Sequence, residues 1–265
     1  MAAPLHRRPD LSRTRKPAGL HAAALAGGAQ RAAPARRRRL RRRHARNGRA
    51  RQPQYGKQLF LLERAGKLGL GTAYLAGFAW VVERHAAEPC GAVVQMDADL
   101  SHRPEAVPEL LRALDAGADL VLATRYRGGV RVTNWPLYRL MLSLGAGKYV
   151  QTLTGMPFSD PTGGFKAFRF DKLATLDLAQ VKSDGYAFQI EVTYMAWRLG
   201  WRIDEVPITF EDRVAGRSKL SARIVREAVW RVPWIALRGK VPAREPAALS
   251  SGGNARAASS KVSAA

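Results

Sequence analysis

Two carboxylates one residue apart, Asp97 and Asp99, stand in the segment Val93-Val94-Gln95-Met96-Asp97-Ala98-Asp99-Leu100-Ser101. Hard divalent cations take oxygen ligands and share them with substrate phosphates, so this pair suits Mg2+ or Mn2+ held against a diphosphate. The competing reading is a pair of solvated turn aspartates, with Asp99 or Ser101 capping a helix that begins near Pro104. The other candidates are mostly cations. Arg125 ends an apolar run, where a guanidinium pairs bidentately with phosphate or, equally, forms a structural salt bridge. Arg213-Val214-Ala215-Gly216-Arg217-Ser218-Lys219 sets three cations around a glycine. With a helix opening near Ser218 that is an anion clamp; otherwise it is a solvated basic loop. The turn Gly66–Gly71 precedes a helix and could cradle a phosphate on backbone N–H groups, with Lys67 adding charge. It matches neither a Walker loop nor a dinucleotide fingerprint. Glu191, in Phe188-Gln189-Ile190-Glu191, is a lone acid on an apolar helix, read as a site acid or as half of a buried ion pair. His102 reads as a cap or surface residue.

Ala92 to Met96 is a short apolar run after Pro89-Cys90-Gly91, the pattern of a buried strand in a parallel sheet. Open α/β sheets bind ligands at the carboxyl ends of their strands, which is where the aspartates fall. Upstream, Gln58 to Leu62 reads as a strand, followed by a helix with Tyr74, Leu75, Phe78, Val81 and Val82 on its apolar face. Downstream come a helix from Pro104 to Asp115 and a strand from Ala118 to Ala123, which delivers Arg125 to the aspartates' sheet edge. An amphipathic helix from Trp135 to Thr154 is next, then the turn Asp160–Phe165 into an extended piece. A helix from Ala187 to Leu199, a strand from Arg202 to Phe210 and an arginine-studded segment from Ile224 to Leu237 complete the pattern. Alternating strands and helices predict an α/β fold with a mostly parallel sheet.

The 265 residues suffice for one large domain, and 46% hydrophobic content for a real core. A single cysteine, Cys90, excludes an intrachain disulfide framework and a cysteine-rich zinc site. No run of about eighteen apolar residues occurs, so no spanning helix is expected. Residues 1–52 hold 16 Lys/Arg against Asp10 alone, a net +15 of the chain's +23. Residues 1–54 are therefore expected to be a basic, disordered segment, 55–240 the folded domain, and the Ala/Ser/Gly-rich 241–265 a disordered tail. Such an arm could bind nucleic acid or anionic lipid, but an inert arm is the favoured reading and nucleic acid is not the expected partner.

Seven segments then occur in order: Gly66-Lys67-Leu68-Gly69-Leu70-Gly71-Thr72-Ala73-Tyr74, Gln95-Met96-Asp97-Ala98-Asp99-Leu100-Ser101-His102, Asn134-Trp135-Pro136, Thr162-Gly163-Gly164-Phe165, Ser183-Asp184-Gly185-Tyr186-Ala187-Phe188-Gln189-Ile190-Glu191, Val206-Pro207-Ile208-Thr209-Phe210 and Gly216-Arg217-Ser218-Lys219. Together they resemble the polyprenol-phosphate (dolichol-phosphate) mannose synthases of glycosyltransferase family 2, over about residues 55–240. The resemblance implies a GT-A type, Rossmann-like domain that moves mannose from GDP-mannose to a polyprenyl phosphate at the cytoplasmic face of a membrane. It implies that Asp97 and Asp99, with Ser101 nearby, hold Mg2+ or Mn2+ and the diphosphate. It further implies that Arg125 and Arg139 contact phosphates, and that Arg213 and Lys219 sit on a loop that closes over the donor and holds the acceptor phosphate. The basic amphipathic stretch Trp230–Arg238 suits peripheral contact with an anionic membrane.

Family members begin with a strand ending in Pro-x-Tyr-Asn-Glu and a second ending in an acidic motif, and residues 1–52 contain neither. The N-terminal strands are thus expected to be lacking. One base of displacement turns CGA (Arg) codons into GAC (Asp), and the hypothesis this suggests is that the run Arg36 to His44 is the acidic motif read in a shifted frame. Resequencing the locus tests it, and an uninterrupted frame through the region would end the idea. The alternatives are transfer of another hexose, such as glucose, to the same lipid phosphate, or an inactive polybasic binding protein on a degenerate glycosyltransferase fold.

Overall fold

The computed structural model of the protein describes residues 49–50, 53–54, 60–64, 69–97, 101–211 and 222–238. Among these, six strands and six α-helices are delimited, and residues 49–50 and 53–54 are helical besides. The strands are β1 (Ala92–Gln95), β2 (Leu120–Thr124), β3 (Val132–Thr133), β4 (Lys166–Arg169), β5 (Ile203–Pro207) and β6 (Phe210–Glu211). The helices are α1 (Leu70–Arg84), α2 (Val107–Asp115), α3 (Leu137–Thr154), α4 (Phe170–Thr175), α5 (Gly185–Arg198) and α6 (Ala222–Leu237).

The main sheet has the order β1-β4-β2-β5. β4 pairs antiparallel with both β1 and β2, and β2 pairs in parallel with β5. Strands β1, β2 and β5 therefore point one way and share a carboxyl edge, as the alternating pattern predicts. The reversed strand β4 is the extended piece after Asp160. Its direction follows from where the chain enters: Thr124 Oγ1 and Ser159 Oγ are 2.7 Å apart, which holds the chain at the carboxyl end of β2 before β4 begins.

Strand periodicity sends alternate side chains to opposite faces, and here it divides two cores. Val93, Leu120, Leu122 and Phe168 face Tyr74 and Phe78 of α1, Val150 of α3 and Phe188 of α5. Val94, Val121, Ala123 and Ala167 face Val107, Leu110 and Leu114 of α2. Helix α1 contributes Tyr74, Phe78 and Val81 at helical spacing, and α5 is buried almost all round. Gly155, left-handed at φ 73°, ends α3 with its N–H on Gln151 O at 2.8 Å.

Two expectations change. The strand expected at Gln58–Leu62 is absent from residues 60–62, which run irregularly. Side-chain packing anchors that segment instead: the Phe60 ring lies 4.9 Å from Trp80, with the Arg84 guanidinium 4.5 Å above it. The strand expected over Arg202–Phe210 is split into β5 and β6, and β6 pairs in parallel with β3, Val132 opposite Phe210. Asn134, in the left-handed region at φ 61°, turns the chain from β3 toward α3.

Candidate active site

The carboxyl edge of the sheet collects the candidates. Asp97 lies two residues beyond β1, and its backbone N–H donates to His102 Nδ1 at 3.0 Å. That bond leaves Nδ1 unprotonated as an acceptor. His102 is buried, with its ring stacked on Phe165 at 5.1 Å and edge-on to Phe210 at 5.8 Å. It is a cap on the Asp97 backbone rather than a surface residue. The Asp97 carboxylate accepts the Tyr74 hydroxyl at Oδ1, at 2.7 Å. Asp99 lies outside the described residues, as do Lys67, Arg213, Ser218 and Lys219. Ser101 is described and buried. The N-cap residues of the short 3-10 helix Pro104–Ala106 and of α2 behind it, Arg103 and Ala106, make no side-chain cap bond. Among the described residues, no group of three or more His, Cys, Asp or Glu side chains gathers around one point.

Arg125 follows β2 and is gripped from below. Its Nε and Nη2 donate to Asp160 Oδ2 and Oδ1 at 2.6 and 2.7 Å, and Nη2 also reaches Thr162 Oγ1 at 3.1 Å. Burial opposes both charges. For Asp160 it pushes the carboxyl upward, but the guanidinium beside it prevails and holds the group below the ordinary carboxylate range. For Arg125 burial pulls downward, and the Asp160 charge and hydrogen bonds outweigh it. The salt-bridge reading of Arg125 is thus present in the structure. It occupies one edge of the guanidinium, and among the described residues Nη1 has no partner.

Arg139, from the first turns of α3, places its guanidinium carbon 4.1 Å over the Trp135 ring. Arg125 approaches the same ring at 5.5 Å, and Phe210 meets it edge-on at 5.5 Å. Phe210 touches His102 as well, so one aromatic spine joins the end of β1 to both arginines. Tyr126 Oη and Ser143 Oγ, 2.7 Å apart, close the side toward α3. Two groups escaped sequence reasoning. Asp160 carried a signal, an acid heading the Asp-Pro-Thr-Gly-Gly turn. Phe210 closed one of the seven segments, Val206–Phe210, but its meeting with Trp135 had no signal, because it comes about through the β3–β6 pairing.

Lys166, at the start of β4, is buried and donates from Nζ to Gln189 O at 2.7 Å. Burial pushes its ammonium down to about 7, against the upward pull of Asp160.

Glu191 is a correction. It is 0% exposed and accepts the backbone N–H groups of Lys182 and Ser183 and Arg238 Nη1, the last at 2.5 Å. The buried-ion-pair alternative is the one the structure displays, because α5 turns this position into the core. The glycine-rich turn is a second correction in its described part. Gly71 N–H donates to Asp184 Oδ1 at 2.7 Å. Gly69 has φ 106°, and a Cβ there would lie 1.8 Å from Asp184 Oδ2. A carboxylate of the chain itself stands at the amino end of α1, where the sequence left room for a phosphate.

Helix α6 departs in part from a simple basic face. Arg238 bonds inward to Glu191 and Gln180, and Arg231 donates to Lys182 O. Trp230 and Leu237, by contrast, are 77% and 85% exposed. Tyr149 Oη donates to Val229 O at 2.8 Å, so α6 lies beside α3. Helix α3 in turn leaves Leu137, Tyr138 and Met141 in solvent. No helix among the described residues is long and apolar enough to cross a membrane.

The carboxyl edge of this α/β sheet thus presents an acid and two arginines, and the comparisons supply the family. The pattern of glycosyl transferase family 2 matches residues 44–177, and the chain belongs to that family. It is 44% identical over 184 residues to the polyprenol monophosphomannose synthase of Mycolicibacterium smegmatis, covering 69% of this chain and 68% of that protein. It is 46% identical over 169 residues to the undecaprenyl-phosphate mannosyltransferase of Micrococcus luteus, covering 64% and 68%. Among solved structures, glucosyl-3-phosphoglycerate synthase from Mycobacterium tuberculosis, in complex with phosphoglyceric acid, is similar at 21% identity and a TM-score of 0.43. That similarity covers 65% of this chain, which spans about half of the solved one, 54%.

Proposed function

We propose that the chain transfers mannose from GDP-mannose to a polyprenyl phosphate by a single inverting displacement. The observation that carries the reading is the convergence of Arg125 and Arg139 on the Trp135 ring, at the sheet edge where Asp97 lies just beyond β1. The acceptor phosphate is already anionic, so its oxygen attacks the anomeric carbon without a strong general base. A new C–O bond forms as the bond to the nucleoside diphosphate breaks, and the electron pair leaves with the diphosphate. What the site must supply is positive charge in fixed geometry. Arg139, stacked on Trp135, and Arg125, oriented by Asp160, supply it for the phosphates.

The oxygen donors present fit Mg2+ or Mn2+ rather than a softer metal. Asp97, with Asp99 and Ser101, would hold the ion. When bound, such an ion neutralises charge on the departing diphosphate. The exposed apolar side chains of α3 and α6 suit peripheral contact with the cytoplasmic face of a membrane, where a polyprenyl phosphate presents its headgroup.

The test is transfer of labelled mannose from GDP-mannose into organic-extractable lipid by the full chain, with polyprenyl phosphate and Mg2+. Transfer that is lost in Asp99→Ala and reduced at least tenfold in Arg139→Ala is expected. Transfer from UDP-glucose but not GDP-mannose would overturn the sugar, and no transfer from either donor would overturn the reaction.

A further inference from the structure

We propose that Tyr74 is a positioning residue for the Asp97 carboxylate, and thereby sets how tightly the chain holds a divalent cation at the end of β1. The inference rests on the assignment of Asp97 to the metal made above. The Tyr74 hydroxyl donates to Asp97 Oδ1 at 2.7 Å, the ordinary length of an O–H···O bond. Its ring is buried, parallel to Phe188 at 5.8 Å and stacked with Phe78 at 6.4 Å. Packing on both sides leaves the ring one orientation, so the hydroxyl arrives at one point.

The helix that carries it is itself held. The Asp184 carboxylate takes the Gly71 N–H one turn before Tyr74 and fills the space that a side chain at residue 69 would need. Arg64 Nη1 donates to Gly69 O at 3.2 Å from the other side. Tyr74 therefore cannot follow a wandering carboxylate without displacing the start of α1. On the acceptor side, the Asp97 backbone is fixed by His102 Nδ1. Backbone and carboxylate are thus located by two independent bonds from two different elements. Among the described residues no other bond reaches the carboxylate, so Tyr74 is what orients it. A ligand oriented before the ion arrives loses little freedom on binding. Removing such a partner of a metal ligand typically weakens metal affinity by about 10- to 100-fold.

The decisive experiment measures binding of Mn2+ alone to the full chain by the loss of its free-ion electron paramagnetic resonance signal. Wild type, Tyr74→Phe, Asp97→Asn and the double variant are compared, each with its melting temperature. Tyr74→Phe keeps the ring and removes only the hydroxyl. Expected are Mn2+ binding about tenfold weaker or more, a melting temperature near wild type, and a double variant no weaker than Asp97→Asn alone. In the transfer assay the Mn2+ needed for half-maximal rate should rise, with the rate recovering at saturating Mn2+. Wild-type Mn2+ affinity in Tyr74→Phe alongside weakened binding in Asp97→Asn overturns the positioning role alone. Undiminished binding in Asp97→Asn overturns the metal assignment and the positioning role with it. A Tyr74→Phe chain without a thermal transition also overturns the proposal, because the hydroxyl would then be holding the fold.

Discussion

Arg125 and Asp160 form a bidentate pair, 2.6 and 2.7 Å long, that ties the end of β2 to the turn preceding β4. Because Asp160 is almost wholly inaccessible, the pair does two things at once. It secures the turn that leads into the reversed strand, and it fixes the orientation of the guanidinium at the end of β2.

Replacing Asp160 with Asn leaves the Arg125 charge without its counterion in a dry site. Breaking one partner of a buried pair costs about 3–5 kcal/mol, so a clear drop in urea midpoint is expected. The wild-type contribution also has a pH window. The Asp160 carboxyl is depressed below its unfolded value of 3.8, so its stabilisation is complete above that pH and fades as pH falls through the lower, folded value. An Asp160→Asn chain with wild-type stability at pH 7 would refute the pairing energy.

Lys166 has a pH window of its own, at the alkaline end. Its ammonium is pushed from 10.5 down to about 7 by burial, so between those values the unfolded chain binds more protons than the folded one. Stability from this residue therefore rises as pH increases from about 7 toward 10.5. Lys166→Met should gain most over wild type near and below neutrality, and the gain should shrink in alkaline buffer. Urea titrations of both proteins at pH 7 and pH 9.5 measure the difference, and an equal gap at the two values counts against it.

Gly69→Ala meets both a positive φ and the Asp184 carboxylate. A residue forced into φ > 0 loses more than about 1 kcal/mol, and the collision adds to that. Pairing it with Asp184→Ala should recover part of the loss, because only the collision is relieved. Denaturant unfolding of the two single variants and the double gives the coupling; strict additivity would deny the contact.

Trp230→Ser with Leu237→Ser probes the exposed face of α6. If these side chains enter a membrane surface, each contributes on the order of 1.5–3 kcal/mol. Co-sedimentation with vesicles of anionic phospholipid should then fall at least tenfold at unchanged thermal stability. Undiminished sedimentation would move the contact elsewhere.

The chemistry-bearing edge was legible in the order of residue types. An apolar run ending at Asp97, and another ending at Arg125, put an acid and a cation at the carboxyl ends of two like-directed strands, since strands that alternate with helices run the same way. Helix α1 was legible for a similar reason, as Tyr74, Phe78 and Val81 repeat at helical spacing. What the linear pattern does not encode is which of two physically sensible partners a charged group finds. Glu191 could face a ligand or an arginine; α5 happens to be buried on every side, so Arg238 and two backbone N–H groups satisfy it. The amino end of α1 could hold a phosphate or a carboxylate, and Asp184, more than a hundred residues away in sequence, fills it. The reversal of β4, the meeting of Phe210 with Trp135 and the bond from Tyr74 to Asp97 share that origin. Local periodicity and turn chemistry specify elements, because they act between near neighbours. The pairing of distant polar groups is decided only when the whole chain closes around them and water is no longer available as the alternative partner.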